Sequence, residues 1–273
     1  MTLLFSMLQT HKLTALILFI VVFNCNIANA TKYASIIIDD LGNNLEYGKA
    51  IIELPYNLTF AILPRTTYAK PLARLATKNR REVMLHLPMQ SVEHFHTSPG
   101  TLDLHMTKTE FKRQLQQNLN AVPYIRGVNN HMGSLLTRHP GHMAWLMDEL
   151  QQRGNLYFVD SKTTSKSIAD KIAVEHDIPN LSRDFFIDPD YSQTTMKKQF
   201  ERFLSKIDQR GYALAIAHPH PATIAFLNDN LGRLKALGIT LVPVSKLIST
   251  TQQTNNAKES QHVACTGTPC TGL

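Results

Sequence analysis

Between Lys32 and Leu247, short apolar runs alternate with longer amphipathic segments, and this rhythm most limits the folds open to the chain. The runs are Ser35–Ile38, Leu58–Leu63, Glu82–Leu87, Gly127–Asn130, Leu156–Val159, Phe185–Ile187, Tyr212–Ala217 and Thr240–Val244. Most are rich in β-branched or aromatic residues, and near-continuous hydrophobicity suits strands covered on both faces, as in a parallel sheet. The segments between them carry helix punctuation. Thr107 and Glu110 make a capping box ahead of Phe111–Leu119, and Pro140 opens a helix that Gly154 ends. Helices over Thr195–Arg210 and Pro221–Leu237 stop at Gly211 and Gly238. Seven or eight β/α units of roughly 25–30 residues predict one distorted parallel (β/α) barrel. An open doubly wound sheet is the alternative, but no glycine-rich dinucleotide fingerprint follows the first run.

A chain of 273 residues with 43% apolar and 18% charged residues buries a real core, which excludes disordered, collagenous and coiled-coil classes. The formal charge of +7 would favour a polyanion if it were clustered. Instead the basic residues are scattered, and short groups such as Lys78-Asn79-Arg80-Arg81 and Lys197-Lys198 read as solvated helix ends and faces. With no zinc-finger, helix-turn-helix, RNP or P-loop pattern, nucleic acid is not an expected partner.

The two ends read differently from the body. His11 and Lys12 lead into an apolar run from Leu13 to Phe23, and Ala28-Asn29-Ala30 supplies the small residues of a cleavage site. Residues 1–30 are therefore expected to be a cleaved signal peptide, since the apolar run falls short of the roughly 20 residues of a membrane span. Periplasmic or secreted location without a retained membrane anchor follows as an expectation. Cleavage removes Cys25, leaving Cys265 and Cys270, which either pair as a local clip or stay free. The body is read as one domain over residues 31–249, followed by a flexible tail over 250–273. Ser91–Met106, with His94, His96 and His105, lacks periodicity and reads as an excursion loop.

Parallel strands end on one rim, where ligands of such folds bind. Ionisable residues recur there: Asp39 and Asp40 after the first run, His86, His131, Asp160 and Asp188 after later ones, then His218 and His220. Aspartate and histidine suit zinc or another divalent metal with one position left open, and metal-assisted hydrolysis follows from that donor set. Adjacent aspartates at a strand end point in different directions, so one can face the metal and the other the water.

Four stretches together resemble the divergent polysaccharide deacetylase family, a distant branch of the NodB-homology carbohydrate esterases: Ile36-Ile37-Ile38-Asp39-Asp40, Glu82-Val83-Met84-Leu85-His86-Leu87-Pro88-Met89, Asn129-Asn130-His131-Met132-Gly133-Ser134 and Ala217-His218-Pro219-His220-Pro221. The resemblance implies a distorted barrel and metal-dependent removal of acetyl groups from N-acetylated sugars. Matched position by position, Asp39 is the general base, Asp40 a metal ligand, His86 the start of the second motif and His218 the general acid. The family's second motif is His-x-x-x-His, whereas this chain reads His86-Leu87-Pro88-Met89-Gln90, and the Arg-Pro-rich third motif is absent. His131 stands as the substitute ligand, so Asp40, His86 and His131 are expected to hold zinc. Gln90, Asn130, Asp160, Arg183, Asp188 and His220 are expected to orient these groups or touch substrate, with Arg183 replacing the lost arginine. Two functions follow: a hydrolase acting on a polysaccharide, peptidoglycan being the nearest candidate, or a weakened barrel serving as a glycan-binding or envelope accessory protein. The sequence leaves the oligomeric state open.

Overall fold

Every ladder between the strands is parallel, as runs covered on both faces require. The computed structural model describes residues 31–93 and 98–253. In chain order the elements are β1 (Lys32–Leu41), α1 (Leu45–Ile52), β2 (Thr59–Ile62), α2 (Ala69–Lys78), β3 (Glu82–Met89), α3 (Lys108–Ala121), β4 (Ile125–Met132), α4 (Pro140–Arg153), β5 (Tyr157–Asp160), α5 (Ala169–Glu175), β6 (Asn180–Ser182), β7 (Phe185–Phe186), α6 (Gln193–Arg210), β8 (Tyr212–Ala217), α7 (Pro221–Asn230), α8 (Gly232–Ala236) and β9 (Ile239–Leu241). The strand order is β6-β5-β4-β3-β2-β1-β8-β7, and β9 adds to β1 near its start. The two end strands, β6 and β7, are separated by only Arg183 and Asp184. The Arg183 amide donates to Asp160 on one side and the Asp184 amide to Leu214 on the other, so the chain itself spans the seam of a distorted (β/α) barrel.

Period-two alternation divides the apolar residues between two cores. One face packs Ile36, Ile38, Phe60, Val83, Leu85, Val128, Phe158 and Ala215 against helix residues such as Leu72, Phe111, Leu146 and Phe200. The other face fills the barrel with Ile37, Ala61, Met84, Tyr157, Val159, Leu214 and Ile216, closed below by Val242, Val244, Leu247 and Ile248. Burying one such large side chain contributes about 1.5–3 kcal/mol, so the helix-facing layer carries the bulk of the stabilisation and the rim end of the interior is left for polar groups.

The expected caps are present. Thr107 and Glu110 bond reciprocally at the start of α3, Pro140 opens α4, and Gly211 ends α6 in the left-handed region. Two expectations change. The helix expected over Pro221–Leu237 is broken at Leu231 into α7 and α8. β6 is a strand the apolar pattern misses, because Asn180-Leu181-Ser182 is polar and only half-buried. Residues 244–253 are helical; the rest of the segment expected to be a tail, the signal peptide, both tail cysteines, His94 and His96 lie outside the described residues. His105 is exposed. Among the described residues no helix is long and apolar enough to cross a membrane.

Candidate metal centre and catalytic cavity

On five of the strands the interior face ends in a polar residue at the rim. The alternation Ser35, Ile37, Asp39 on β1 is matched by Met84, His86 on β3, by Gly127, Asn129, His131 on β4, by Tyr157, Val159, Ser161 through β5, and by Leu214, Ile216, His218 through β8. Asp39, Asp40, His86, Asn130, His131, Ser161 and His218 line one open cavity of about 270 Å³ at this end, with Ser91, Glu93, Ser134 and Thr163 on its walls.

Strict alternation would turn Asp40 away from Asp39. It does not, because β1 carries one extra residue against β2: Ile38 pairs with Phe60 but Leu41 with Ile62, and Asp40 takes a left-handed φ of 59°. This bulge costs roughly 1–2 kcal/mol in backbone strain and brings both carboxylates into the same cavity, correcting the expectation that they diverge. The carbonyl of Met132, another left-handed residue with φ 53°, is held by Asn130 Nδ2 at 2.7 Å and Thr163 Oγ1 at 2.9 Å.

Asp40, His86 and His131 converge as expected, with one ligand atom from each lying within 4.8 Å of the others. Asp40 Oδ1 is 3.1 Å from His86 Nε2 and 3.0 Å from His131 Nδ1, and the two imidazole nitrogens are 3.1 Å apart. Asp40 Oδ1 is buried, yet among the described residues no hydrogen bond of good geometry satisfies it. Two imidazole nitrogens and a buried, unsatisfied carboxylate oxygen gathered this closely are a donor set that fits a divalent cation. Although burial opposes ionisation, the two imidazoles hold the Asp40 carboxyl well below the usual carboxylate range. The second imidazole thus comes from β4, where His131 follows Asn129 on the same strand face, and not from Gln90.

Asn129 is the residue that sequence reasoning did not single out. It pairs in register with His86, its Oδ1 lies 2.8 Å from His86 Nδ1, and its Nδ2 donates to Asp39 Oδ1 at 2.8 Å and Ser161 Oγ at 3.3 Å. The carbonyl takes the Nδ1 proton and leaves Nε2 as the lone-pair donor facing Asp40. Its parity, two residues before His131, was the available signal.

Asp39 and His218 stand beside this cluster. Asp39 Oδ2 is 3.7 Å from His86 Nε2, and His218 Nε2 is 4.0 Å from Asp40 Oδ2. Burial raises the pKa of Asp39, a push that the neighbouring His86 and His218 only partly offset. Burial disfavours the His218 imidazolium, but the Asp188 hydrogen bond and charge, with Asp39 and Asp40, push its pKa up to about 9. Asp188 accepts from the His218 backbone at 2.8 Å, pairs with Nδ1 at 3.0 Å and accepts from Thr223 at 2.7 Å, so it orients the histidine as expected.

Four other expected residues act away from the cluster. Gln90 Oε1 accepts from the Leu104 amide at 2.9 Å and does not line the cavity. Asp160 has the opposite parity to Val159; it bonds the Lys162 amide, Ser167 Oγ and Lys162 Nζ, anchoring a loop instead of a histidine. The Arg183 guanidinium is taken up by the Ser161 and Lys162 carbonyls at 2.7 and 2.8 Å and lies over the Phe186 ring, so it holds that same loop. His220 caps α7, its Nδ1 accepting from the Ala222 amide.

The profile of divergent polysaccharide deacetylases matches residues 36–248 of this chain. The chain belongs to that family. An uncharacterized Haemophilus influenzae protein is 36% identical over 205 residues, covering 75% of this chain and 73% of the relative. Among solved structures, an uncharacterized Agrobacterium tumefaciens protein aligns with a TM-score of 0.76 at 19% identity, over 81% of this chain and 90% of that one. Peptidoglycan deacetylase PdaC of Bacillus subtilis aligns at 0.52 and 15% identity, over 85% and 96%. A mutant of the CE4-family pseudoenzyme BA3943, with restored enzymatic activity, aligns at 0.50 and 19%, over 80% and 68%. At these identities the structural neighbours speak for the fold, and the profile match for the family.

Proposed function

We propose that this chain is a metal-dependent hydrolase of the cell envelope that removes acetyl groups from an N-acetylated polysaccharide. The observation that carries the reading is a base and an acid set in one cavity beside the Asp40, His86 and His131 cluster. Asp40, His86 and His131 would hold zinc or another divalent ion, which would supply Lewis acidity toward the carbonyl and the water. Asp39, a stronger base than an ordinary carboxylate because of its burial, takes the proton of the attacking water. His218, protonated at neutral pH and held by Asp188, delivers a proton to the departing amine as the C–N bond breaks. The products are acetate and a free amino sugar. PdaC is a peptidoglycan deacetylase, which supports peptidoglycan as the first substrate to test. The leader-like residues 1–30 support action in the periplasm or outside the cell.

The test joins metal content to acetate release. Protein purified without chelator is expected to carry about one zinc per chain and to release acetate from N-acetylated glycans. Asp39→Asn is expected to cut turnover by about 10²–10⁴-fold with the metal retained. Unchanged turnover in that variant rejects the mechanism.

A second reading, a glycan-binding accessory protein, is favoured by one observation: Gln90 occupies the place of the second-motif histidine and faces the Leu104 amide. Glycan binding without metal or acetate release would establish it.

A further inference from the structure

Beyond β7 and β8 the exit loops run side by side, and their residues pair in two rungs. The inner rung is Asp188 with His218, hydrogen-bonded at 3.0 Å. The outer rung is Tyr191 with His220, whose rings are stacked at 4.2 Å between centroids with planes 22° apart. We propose that this outer rung is a sugar-binding subsite, in which the exposed Tyr191 ring takes the C–H face of the pyranose neighbouring the one that reaches the metal centre.

The subsite rests on the polysaccharide reading above and adds to it a place for a second sugar. Tyr191 is 42% exposed, so its ring is open to a ligand. Its backbone has φ 56°, a conformation that a bulky side chain adopts at a cost and that glycine or asparagine would adopt more readily. The turn is nonetheless rigid: Asp190 accepts from the Ser192 amide at 3.0 Å, Ser192 Oγ at 2.9 Å and Thr195 Oγ1 at 2.8 Å. His220 is equally fixed, by its bond to the Ala222 amide at the start of α7. A rigid aromatic face at a cavity mouth is what the apolar face of a sugar ring needs, since little conformational entropy is lost on contact. Partial burial, with the Asp188 and Asp40 carboxylates, raises the pKa of the Tyr191 hydroxyl. Val92 is also exposed; its amide donates to Ser134 Oγ, and its neighbours Ser91 and Glu93 line the cavity.

The experiment is calorimetric titration of the purified protein with N-acetylglucosamine and with its β-1,4 tetramer, alongside zinc content. Tyr191→Ala is expected to weaken tetramer binding by about tenfold, while monosaccharide binding and zinc content stay unchanged. Tyr191→Gly relieves the backbone strain and so keeps the turn, and it is expected to lose the same affinity. Tyr191→Phe and Tyr191→Trp are expected to retain it. Wild-type tetramer affinity in both Tyr191→Ala and Tyr191→Gly overturns the subsite and leaves the polysaccharide reading standing. Failure of the unmodified protein to bind the tetramer overturns the subsite together with the reading on which it rests.

Discussion

Asp188 grips His218 at two points, its Oδ1 lying 3.0 Å from the ring Nδ1 and its Oδ2 accepting the backbone N–H at 2.8 Å. The carboxylate fixes both where the imidazole stands and which nitrogen faces the cavity. With the His218 pKa pushed up to about 9, kcat/KM is expected to hold to about pH 9 and to fall above it. Asp188→Asn removes the charge but keeps the shape, so this falling limb moves to lower pH. The same shift has a stability consequence. The folded pKa is raised above the ordinary 6.5, so the protonated ring stabilises the fold fully below pH 6.5 and this contribution is lost as pH rises through 9. Urea denaturation at pH 6 and pH 10 checks the sign: unmodified protein loses more stability over that interval than His218→Gln.

The metal cluster separates two residues that sequence position alone would treat alike. Asp40→Asn tolerates the left-handed backbone and keeps the side-chain shape, yet it is expected to empty the site of zinc because the anionic donor is gone. His86→Ala and His131→Ala are expected to do the same. Gln90→Ala leaves zinc content unchanged and lowers stability by about 1 kcal/mol through loss of the bond to Leu104. Elemental analysis of the four variants reads the zinc outcomes, and chemical denaturation of Gln90→Ala reads the stability loss.

Asn129 links the metal side of the cavity to the base side. Asn129→Ala frees the His86 ring to take its other tautomer and removes a donor from Asp39. Zinc affinity is expected to fall about 10–100-fold, measured by competition with a chelator. Unchanged affinity would mean that His86 is oriented by packing alone.

These residues also explain what the sequence made legible. Asp39, His86, His131 and His218 all sit at interior positions of apolar runs, so period two alone aims them at one cavity. Asn129 and Ser161 share that parity and were readable by the same rule, but an amide and a hydroxyl do not announce chemistry as imidazoles do. Asp160 is a carboxylate at a strand end just as Asp39 is, but it has the opposite parity and serves a loop. Asp40 was beyond the rule because a bulge is set by pairing with β2, a partner distant in sequence. β6 was hidden for a related reason, its three half-buried residues being held by pairing with β5 and not by hydrophobicity. The break between α7 and α8 was marked only by Asn230 and Gly232, too weak a signal within a continuous helical pattern.

The floor of the barrel supplies a prediction about stability. Gly127 pairs in register with Tyr157, and a Cβ added to Gly127 would lie 2.3 Å from the tyrosine ring. The ring lies over the glycine and its hydroxyl donates to Glu82 Oε1 at 2.8 Å; the same oxygen accepts from Thr59 Oγ1 and the Ser245 amide. Thr59 Oγ1 in turn accepts from the Val244 amide, so the start of the helix that closes the barrel is tied to this network. Gly127→Ala must push the ring aside and break its bond to Glu82. The expected cost is about 1–3 kcal/mol by chemical denaturation. Tyr157→Phe, which keeps the ring and removes only the hydroxyl, is expected to cost about 1 kcal/mol. Combining Gly127→Ala with Tyr157→Ala should recover part of the clash penalty, since the added methyl then enters vacated space; strict additivity of the two would show that the ring is not what excludes a side chain at Gly127.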